Sequence, residues 1–209
     1  MDDYISKTIK AYDDTTTYEN STRLMLPKGE IDQFLDMLET GSLILDAGCA
    51  FGRDTTYMQS RGYRLKGVDL SAALIERAKK LCSDVDFKVT DVRATGFNEN
   101  TFDGIWCNAT LLHLDDSDVL LALKEFNRIM KPGAILAVSF KKGEGTKEIL
   151  EKFTSNFTRF FNFKTHETFL ELLKAAGLKE VSWHYVNDLS RFGNDNRDLD
   201  WLYSYSQKQ

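Results

Sequence analysis

The stretch Leu43-Ile44-Leu45-Asp46-Ala47-Gly48-Cys49-Ala50-Phe51-Gly52-Arg53-Asp54 decides the fold of this chain. An apolar run ends in an acid, breaks into small residues and is followed by a helical pattern. This order predicts a strand, a tight turn and a helix start, which is where an open α/β sheet binds a nucleotide-like ligand. Gly48 and Gly52 let the backbone approach such a ligand, and Asp46 can accept hydrogen bonds from it or brace the turn.

Two further strand-like runs also end in an acid. Residues 64–68 lead into Asp69, and residues 85–90 lead into Asp91. An acid after the second strand is the usual partner of two ribose hydroxyls, and an acid after the third can accept from the exocyclic amine of adenine. Position 53 is Arg where a dinucleotide fingerprint has its third glycine, and no basic cradle for a pyrophosphate lies nearby. Ribose and adenine without phosphate indicate S-adenosylmethionine.

With these motifs the chain resembles the class I S-adenosylmethionine-dependent methyltransferases, in particular the small type 11 or type 25 enzymes. The resemblance covers most of the chain and continues through three further blocks, residues 102–109, 111–114 and 128–134. The order and spacing of the blocks is more specific than any one of them. Ala50 departs from the pattern, because the family usually has its middle glycine there.

The resemblance implies an α/β, Rossmann-like fold, with a seven-stranded, mostly parallel sheet, helices on both faces and a C-terminal antiparallel hairpin. A length of 209 residues suits a single domain. We divide it into an N-terminal cap with helices (1–40), a cofactor-binding core (41–140) and an acceptor-side segment with the closing strands (141–209).

Periodicity and turn residues predict the other elements. Residues 1–23 show weak helical periodicity and are interpreted as a lid or cap, and a helix from 26 should stop at Gly41. Helices are expected at 53–61, at 71–81 with Ser71 as N-cap, at 117–130 and at 165–176. In the helix at 117–130, Leu120, Leu121, Leu123, Phe126 and Ile129 should point mostly inward. Further strands are expected at 103–108, 134–140, 180–186 and 199–205, with a turn at 131–133.

The strand ends and the resemblance together assign the cofactor contacts. Asp69 should bind the ribose and Asp91 the adenine amine, although either acid could instead only cap its own loop or helix. Arg53 should lie near the cofactor carboxylate or else form a salt bridge to Asp54 or Asp46. The complete set of expected cofactor contacts is Tyr12, Asp46, Gly48, Ala50, Arg53, Asp69, Leu70, Asp91, Val92 and Asn108.

Other residues are candidates for catalysis and for acceptor binding. His113 can act as a general base, although a histidine among leucines is often structural and a thiol or acidic hydroxyl acceptor needs no base. Similar methyltransferases carry a Gly-Glu-Gly loop and an Arg-Phe-Phe segment, here around Glu144 and Arg159, and Arg159 can pair with a carboxylate or phosphate. The alternative is a solvated loop and a core aromatic pair. The expected acceptor contacts are Arg159, Phe160, Tyr18 and Glu144.

The sequence therefore predicts methyl transfer from S-adenosylmethionine to a small-molecule acceptor, with S-adenosylhomocysteine as product. Residues 108–111 lack the Asn/Asp-Pro-Pro-aromatic signature of enzymes that methylate amide or base nitrogens. A net charge of −5 argues against a sequence-independent grip on DNA. Two alternatives stay open, a tRNA or protein methyltransferase with a partner subunit and a non-catalytic S-adenosylmethionine-binding regulatory protein.

Three cysteines without metal-ligand spacing predict buried apolar side chains, no metal site and a reducing, cytoplasmic setting. No signal segment and no apolar run of ~18 residues are apparent, so no membrane association is expected. We expect a monomer or a homodimer.

Overall fold

A computed structural model describes residues 3–13, 19–20, 22–150, 158–193 and 198–209. The helices are α1 (Asp3–Asp13), α2 (Lys28–Leu35), α3 (Arg53–Ser60), α4 (Ala72–Leu81), α5 (Asp116–Ile129), α6 (His166–Ala175) and α7 (Asp188–Phe192), with a 3-10 helix at Leu111–His113. The strands are β1 (Leu43–Ala47), β2 (Arg64–Asp69), β3 (Asp86–Val89), β4 (Phe102–Cys107), β5 (Met130–Lys141), β6 (Thr146–Leu150), β7 (Thr158–Asn162), β8 (Leu178–Asn187) and β9 (Asp200–Lys208). Tyr18 lies outside the described residues.

Seven strands form one sheet in the order β3-β2-β1-β4-β5-β9-β8. The first five are parallel, and β9 inserts antiparallel between β5 and β8. The predicted seven-stranded α/β sheet with an antiparallel hairpin is confirmed. Because parallel strands end at the same edge, Asp46 near the end of β1, Asp69 at the end of β2 and Asp91 after β3 lie along that edge.

Side chains alternate between the two faces of the sheet, so each strand supplies two cores. In β1, Leu45 and Ala47 join the core under α5 and α6, whereas Ile44 joins the core under α2, α3 and α4. Trp106 of β4 is 1% exposed on the second face. Burial of a large side chain of this kind contributes roughly 1.5–3 kcal/mol. The expectation of helices on both faces is confirmed.

Local capping follows the sequence signals. The Ser71 side chain accepts from the Leu74 amide at 3.2 Å, which confirms the predicted N-cap of α4. Thr165 and Thr168 form a reciprocal capping box at the start of α6. Gly177 follows that helix at φ +74°, a conformation that favours glycine.

Several expected boundaries differ from those observed. Helix α2 ends at Leu35, because the next turns tighten into i→i−3 bonds before Gly41. Strand β5 starts at Met130, and the expected turn at 131–133 is a bulge inside it, since the register to β4 shifts there. Leu121 is 52% exposed, because it lies opposite the buried stripe of α5.

The segment after β5 contains structure that the sequence patterns did not predict. Strands β6 and β7 form a separate two-stranded antiparallel sheet. The residues of β6 are mostly exposed and polar, so they show no alternating apolar pattern. The short α7 lies between β8 and β9. Among the described residues, no helix combines the length and apolar character that crossing a bilayer requires.

Candidate functional site

Two adjoining cavities lie at the edge where the parallel strands end. The β2 cavity is lined by residues following β2 and β3, by α1 and by Leu74 of α4, and the β5 cavity by residues around β1, the end of β5, β7 and α7. The β5 cavity has a volume of about 130 Å³ and the β2 cavity one of about 110 Å³. Both are lined by Tyr12, Gly48, Ala50, Asn108, Ala109 and His113.

The turn after β1 forms part of the shared wall. Gly48 has φ +82°, and a Cβ there would lie 1.9 Å from the Thr110 hydroxyl oxygen, so only glycine fits. The amides of Gly48 and Cys49 donate to the Val68 carbonyl at 2.8 and 3.0 Å, which ties the turn to β2. Ala50, which replaces the family's middle glycine, adopts a left-handed φ of +48°.

The two acids of the β2 cavity are oriented by nearby backbone amides. Asp69 accepts from the amides of Ala50 at 3.0 Å and Ser71 at 2.9 Å. Asp91 accepts from the Arg93 amide at 2.8 Å and its guanidinium at 2.7 Å. Burial would raise the pKa of Asp91, but the Arg93 hydrogen bonds outweigh it and lower that pKa, so the carboxyl stays ionised at pH 7.

Asp46 and Asp54 place carboxylates in the β5 cavity. Asp46 is 2% exposed and accepts from the Thr55 hydroxyl at 2.5 Å. Burial, together with the nearby charge of Asp54, raises the pKa of Asp46. Asp54 accepts from the Trp106 indole at 3.0 Å and forms a 2.7 Å salt bridge with Arg53.

Asn108 connects the two sides of the β5 cavity. Its amide nitrogen donates to Asp54 at 3.1 Å, and its oxygen accepts from the hydroxyls of Ser139 at 2.7 Å and Tyr203 at 3.0 Å. Arg53 also donates to the Thr22 carbonyl at 2.9 Å, which links the N-terminal segment to the start of α3. The predicted Arg53–Asp54 salt bridge is therefore present, and Arg53 lines the cavity as well.

His113 connects α1 to β7. Its ring packs against Tyr12 and Phe161, with centroids 5.5 and 5.0 Å apart. Nδ1 lies 2.7 Å from the Phe160 carbonyl oxygen, which only accepts, so Nδ1 carries the proton and Nε2 accepts from the Tyr12 hydroxyl at 2.7 Å. Burial and then the charge of Arg159 lower the pKa of His113 well below 6.5, so the ring is neutral at pH 7.

Arg159 lies on the other side of Tyr12. Its Nη1 donates to the Tyr12 hydroxyl oxygen at 2.5 Å, and its guanidinium lies 5.0 Å from the centroid of that ring. The Tyr12 hydroxyl thus joins the two polar groups of this wall, Arg159 and His113.

The structure places most of the expected site residues together. All ten expected cofactor contacts, from Tyr12 to Asn108, line one or both cavities, as do His113 and Arg159. Phe160 does not line either cavity and instead packs on Tyr4, with centroids 4.7 Å apart. Glu144 is exposed and also lies outside both linings.

Sequence reasoning did not single out Lys141 and Ser139 as site residues. Both lie near the carboxyl end of β5, where Ser139 contacts Asn108 and Lys141 lines the β5 cavity. The sequence signal that could have identified them is their spacing. Two polar residues two positions apart at the end of an apolar strand lie on the same face of that strand. The three cysteines are buried and free, as predicted, and the described residues show no cluster of three or more metal-ligating side chains.

Residues 45–138, which carry the glycine turn and the strand-end acids, match the family model described as a methyltransferase domain. The central part of the chain is thus similar to a methyltransferase domain. This confirms the resemblance drawn from the sequence motifs. The residues that line the β5 cavity from β7 and α7 lie beyond the matched part of the methyltransferase domain.

Known proteins similar to this chain include methyltransferases of plants and microbes. Phosphoethanolamine N-methyltransferase 1 of Triticum aestivum is 31% identical over 158 residues, which cover 71% of this chain and 31% of that protein. The chain spans about a third of the length of such plant relatives.

Two solved structures share the fold. A S-adenosylmethionine-dependent methyltransferase of Methanosarcina mazei has a TM-score of 0.73 at 21% identity and covers 83% of this chain and 95% of its own. The 1,6-didemethyltoxoflavin-N1-methyltransferase of Burkholderia thailandensis, solved with S-adenosylhomocysteine, has a TM-score of 0.74 at 20% identity. The match covers 100% of this chain and 91% of that one.

Proposed function

We propose that this protein transfers a methyl group from S-adenosylmethionine to a small-molecule acceptor. The observation that carries the proposal is the pair of carboxylates, Asp69 and Asp91, in a β2 cavity that adjoins a second cavity at Gly48 and Asn108. One cavity then holds the adenosine part of the cofactor. The other receives the acceptor beside the amino-acid end.

The donor and acceptor groups of the β2 cavity fit an adenosine. Asp69 is oriented by the Ala50 and Ser71 amides, so its carboxylate can accept from ribose hydroxyls. Asp91 is ionised, so its carboxylate can accept a hydrogen bond from the exocyclic amine of adenine. Leu70, Leu74 and Val92 supply apolar surface for the faces of the base.

The walls nearest the glycine turn suit an amino-acid group. Asp54 supplies a carboxylate for an ammonium group, Asp46 supplies a second carboxyl oxygen that can accept from it, and Arg53 supplies a cation for a carboxylate. Asn108 adds an amide held by Ser139 and Tyr203. We propose that these four side chains hold the amino-acid end of the cofactor.

Methyl transfer depends mainly on alignment. The cofactor supplies a methyl group on a sulfonium, which is already a good leaving group, so the protein must hold the acceptor in line at near-attack distance. We propose that Tyr12, which lines both cavities, covers this junction. Where the acceptor releases a proton, we propose that His113, which is neutral at pH 7, receives it.

The free buried cysteines fit a reducing compartment, and we propose a cytoplasmic location. The small-molecule acceptor is favoured because side chains from several segments line the β5 cavity. A carboxylate or phosphate on that acceptor fits Arg159.

Titration calorimetry with S-adenosylmethionine, S-adenosylhomocysteine and NAD tests the cofactor. We expect binding of the first two, with Asp91→Ala weakening it by roughly ten-fold or more because a charged hydrogen bond is worth about 1.5–3 kcal/mol. Asp84→Ala, which removes an exposed acid after α4, is the matched control. Tighter binding of NAD, or equal loss in both variants, would contradict the assignment.

A second measurement tests turnover. The protein is incubated with S-adenosylmethionine labelled on the methyl group and a metabolite extract, and the products are separated by size. Label should appear in the small-molecule fraction. Label in the protein or RNA fraction alone would favour a macromolecular acceptor instead.

A further inference from the structure

Two buried cations, one from β5 and one from β7, line the β5 cavity. Lys141 is the last residue of β5 and is 5% exposed, and Arg159 is the second residue of β7 and is 6% exposed. The Lys141 ammonium lies 3.7 Å and the Arg159 guanidinium 5.1 Å from the Phe161 ring centroid. Two unrelated elements thus bring positive charge to one ring in the cavity wall.

This positive charge affects the pKa of a neighbouring side chain, His113. After burial, the charges of Arg159 and Lys141 both contribute to the lowered pKa of His113. Both cations therefore contribute positive charge at this end of the cavity. A positive, partly apolar and desolvated wall favours oxyanions, because charge interactions strengthen where water is excluded.

We propose that the acceptor carries an oxyanion, a carboxylate or a phosphate, which binds at Lys141 and Arg159 while its remaining surface packs on Phe161. The inference rests on the proposed methyl transfer, because it places the acceptor in the β5 cavity. Arg159 presents a planar fork that matches either group, and Lys141 adds a point charge. The cofactor's own carboxylate is left to Arg53 at the glycine turn.

The test uses probes rather than an unknown acceptor. Protein saturated with S-adenosylhomocysteine is titrated calorimetrically with benzoate, with inorganic phosphate and with benzamide, the neutral counterpart of benzoate. We expect benzoate or phosphate to bind at least ten-fold more tightly than benzamide. The stronger of the two anions identifies the kind of oxyanion.

Variants locate the binding. Arg159→Gln and Lys141→Gln should each weaken anion binding at least ten-fold and leave S-adenosylhomocysteine affinity within two-fold. Lys142→Gln is the matched control, because Lys142 is the exposed neighbour that pairs with Asp200 at 3.2 Å. Thermal melting of each variant establishes that it is folded, and Arg159→Lys provides a second, charge-conserving variant that should retain part of the binding.

The outcomes separate this inference from the function on which it rests. Benzamide binding as well as benzoate, no binding of either anion, or equal loss in Lys142→Gln would overturn the oxyanion site while cofactor binding stands. Loss of S-adenosylhomocysteine affinity in the Arg159 or Lys141 variants would overturn it too, since the cations would then hold the cofactor. Failure of the parent to bind S-adenosylhomocysteine would overturn the proposed function and this inference with it.

Discussion

The two cavities that meet at Gly48 and Asn108 are built in different ways. In the β2 cavity each acid is oriented by an amide two residues further along the chain, Ser71 for Asp69 and Arg93 for Asp91. In the β5 cavity the Tyr12 hydroxyl bonds His113, 101 positions away, and Arg159, 147 positions away. The acids of the β2 cavity are held mainly by the turns that follow them, with the Ala50 amide as an added donor to Asp69, whereas the bonds of Tyr12 form only once distant segments have packed.

This difference has a physical consequence for what each wall can tolerate. A locally held carboxylate keeps its orientation as long as its own loop is formed, since the loop amides accompany it. A wall assembled from α1, the 3-10 helix and β7 depends on the packing of all three. We therefore expect changes in the β2 cavity to act on ligand affinity, and changes in the β5 cavity to act also on the order of the elements around it.

The largest effect is expected at the glycine turn that both cavities share. Gly48→Ala places a Cβ 1.9 Å from the Thr110 hydroxyl oxygen at φ +82°. The left-handed backbone costs about 1–2 kcal/mol and the overpacking about 1–3 kcal/mol more. Thermal and urea unfolding should show a destabilisation of roughly 2–5 kcal/mol, and S-adenosylhomocysteine affinity should fall with it.

Gly133→Ala separates the two costs. Gly133 has φ +80° in the β5 bulge but open space around its Cβ position, so only the backbone cost of about 1–2 kcal/mol applies. The difference between the two variants measures the crowding at Thr110. Equal destabilisation would mean that Thr110 moves aside without cost and that the turn is less constrained than the geometry indicates.

The next largest effect concerns Asp69. Asp69→Ala removes a charged acceptor of ribose hydroxyls and leaves the Ala50 and Ser71 amides without it. S-adenosylhomocysteine binding should weaken by about 1–3 kcal/mol, or roughly five- to 150-fold. Calorimetry is the measurement. Asp86→Ala is the control, because Asp86 is an exposed acid on β3 that pairs with Lys66. Undiminished affinity in Asp69→Ala would remove the ribose from this wall.

The difference between local and long-range contacts also explains how much of the structure could be predicted from the sequence. The sheet and the β2 cavity follow from short blocks, because a strand, its terminal acid and the next turn residues lie within ten positions of one another. The N-cap Ser71 is readable for the same reason. Local rules are sufficient where the partners are local.

The contacts of the β5 cavity could not be predicted in this way. Nothing around Tyr12 in the chain indicates that its hydroxyl meets His113, and nothing around Lys141 indicates Phe161 as its contact. Strand β6 carries no alternating pattern, so the small sheet that positions Arg159 was not predicted. Phe160 was expected to contact the acceptor, but its neighbour Phe161 lines the cavity, because successive strand residues face opposite sides.

A smaller effect is expected in the pH dependence of the free energy of unfolding, because His113 is buried in the wall of the β5 cavity. The pKa of His113 in the folded protein lies well below 6.5, so below that pH the unfolded chain binds a proton that the folded protein does not. The free energy of unfolding should therefore fall as pH decreases below about 6.5, by at most about 1.4 kcal/mol per pH unit for this group. His113→Gln should remove that part of the slope in urea titrations at pH 5 to 7.

His184→Gln provides the comparison. The pKa of His184 is also lowered by burial, but this side chain on β8 is only partly buried and lies outside both cavities. We expect it to change the slope less than His113→Gln does. An unchanged slope in His113→Gln would show that the ring is already solvated and that the wall around it is open.

The smallest expected effect removes one oxygen from the long-range wall. Tyr12→Phe deletes the hydroxyl that donates to His113 and accepts from Arg159, at a cost of about 0.5–1.5 kcal/mol for each bond of this kind. Because these bonds join α1 to the 3-10 helix and β7, hydrogen exchange of the α1 amides should accelerate while exchange in β1 and β4 stays unchanged.

Tyr57→Phe is the matched control, because its hydroxyl donates to Asp32 at 2.7 Å and ties α3 to α2, away from α1. If the β5 cavity depends on distant packing, Tyr12→Phe alone should loosen α1, and Asp69→Ala should not. Equal protection of the α1 amides in both tyrosine variants would mean that the packing of Ile5 and Ala11, which are 3% and 0% exposed, holds this helix without the hydroxyl. The wall would then be an apolar contact that positions Tyr12, rather than one that Tyr12 itself stabilises.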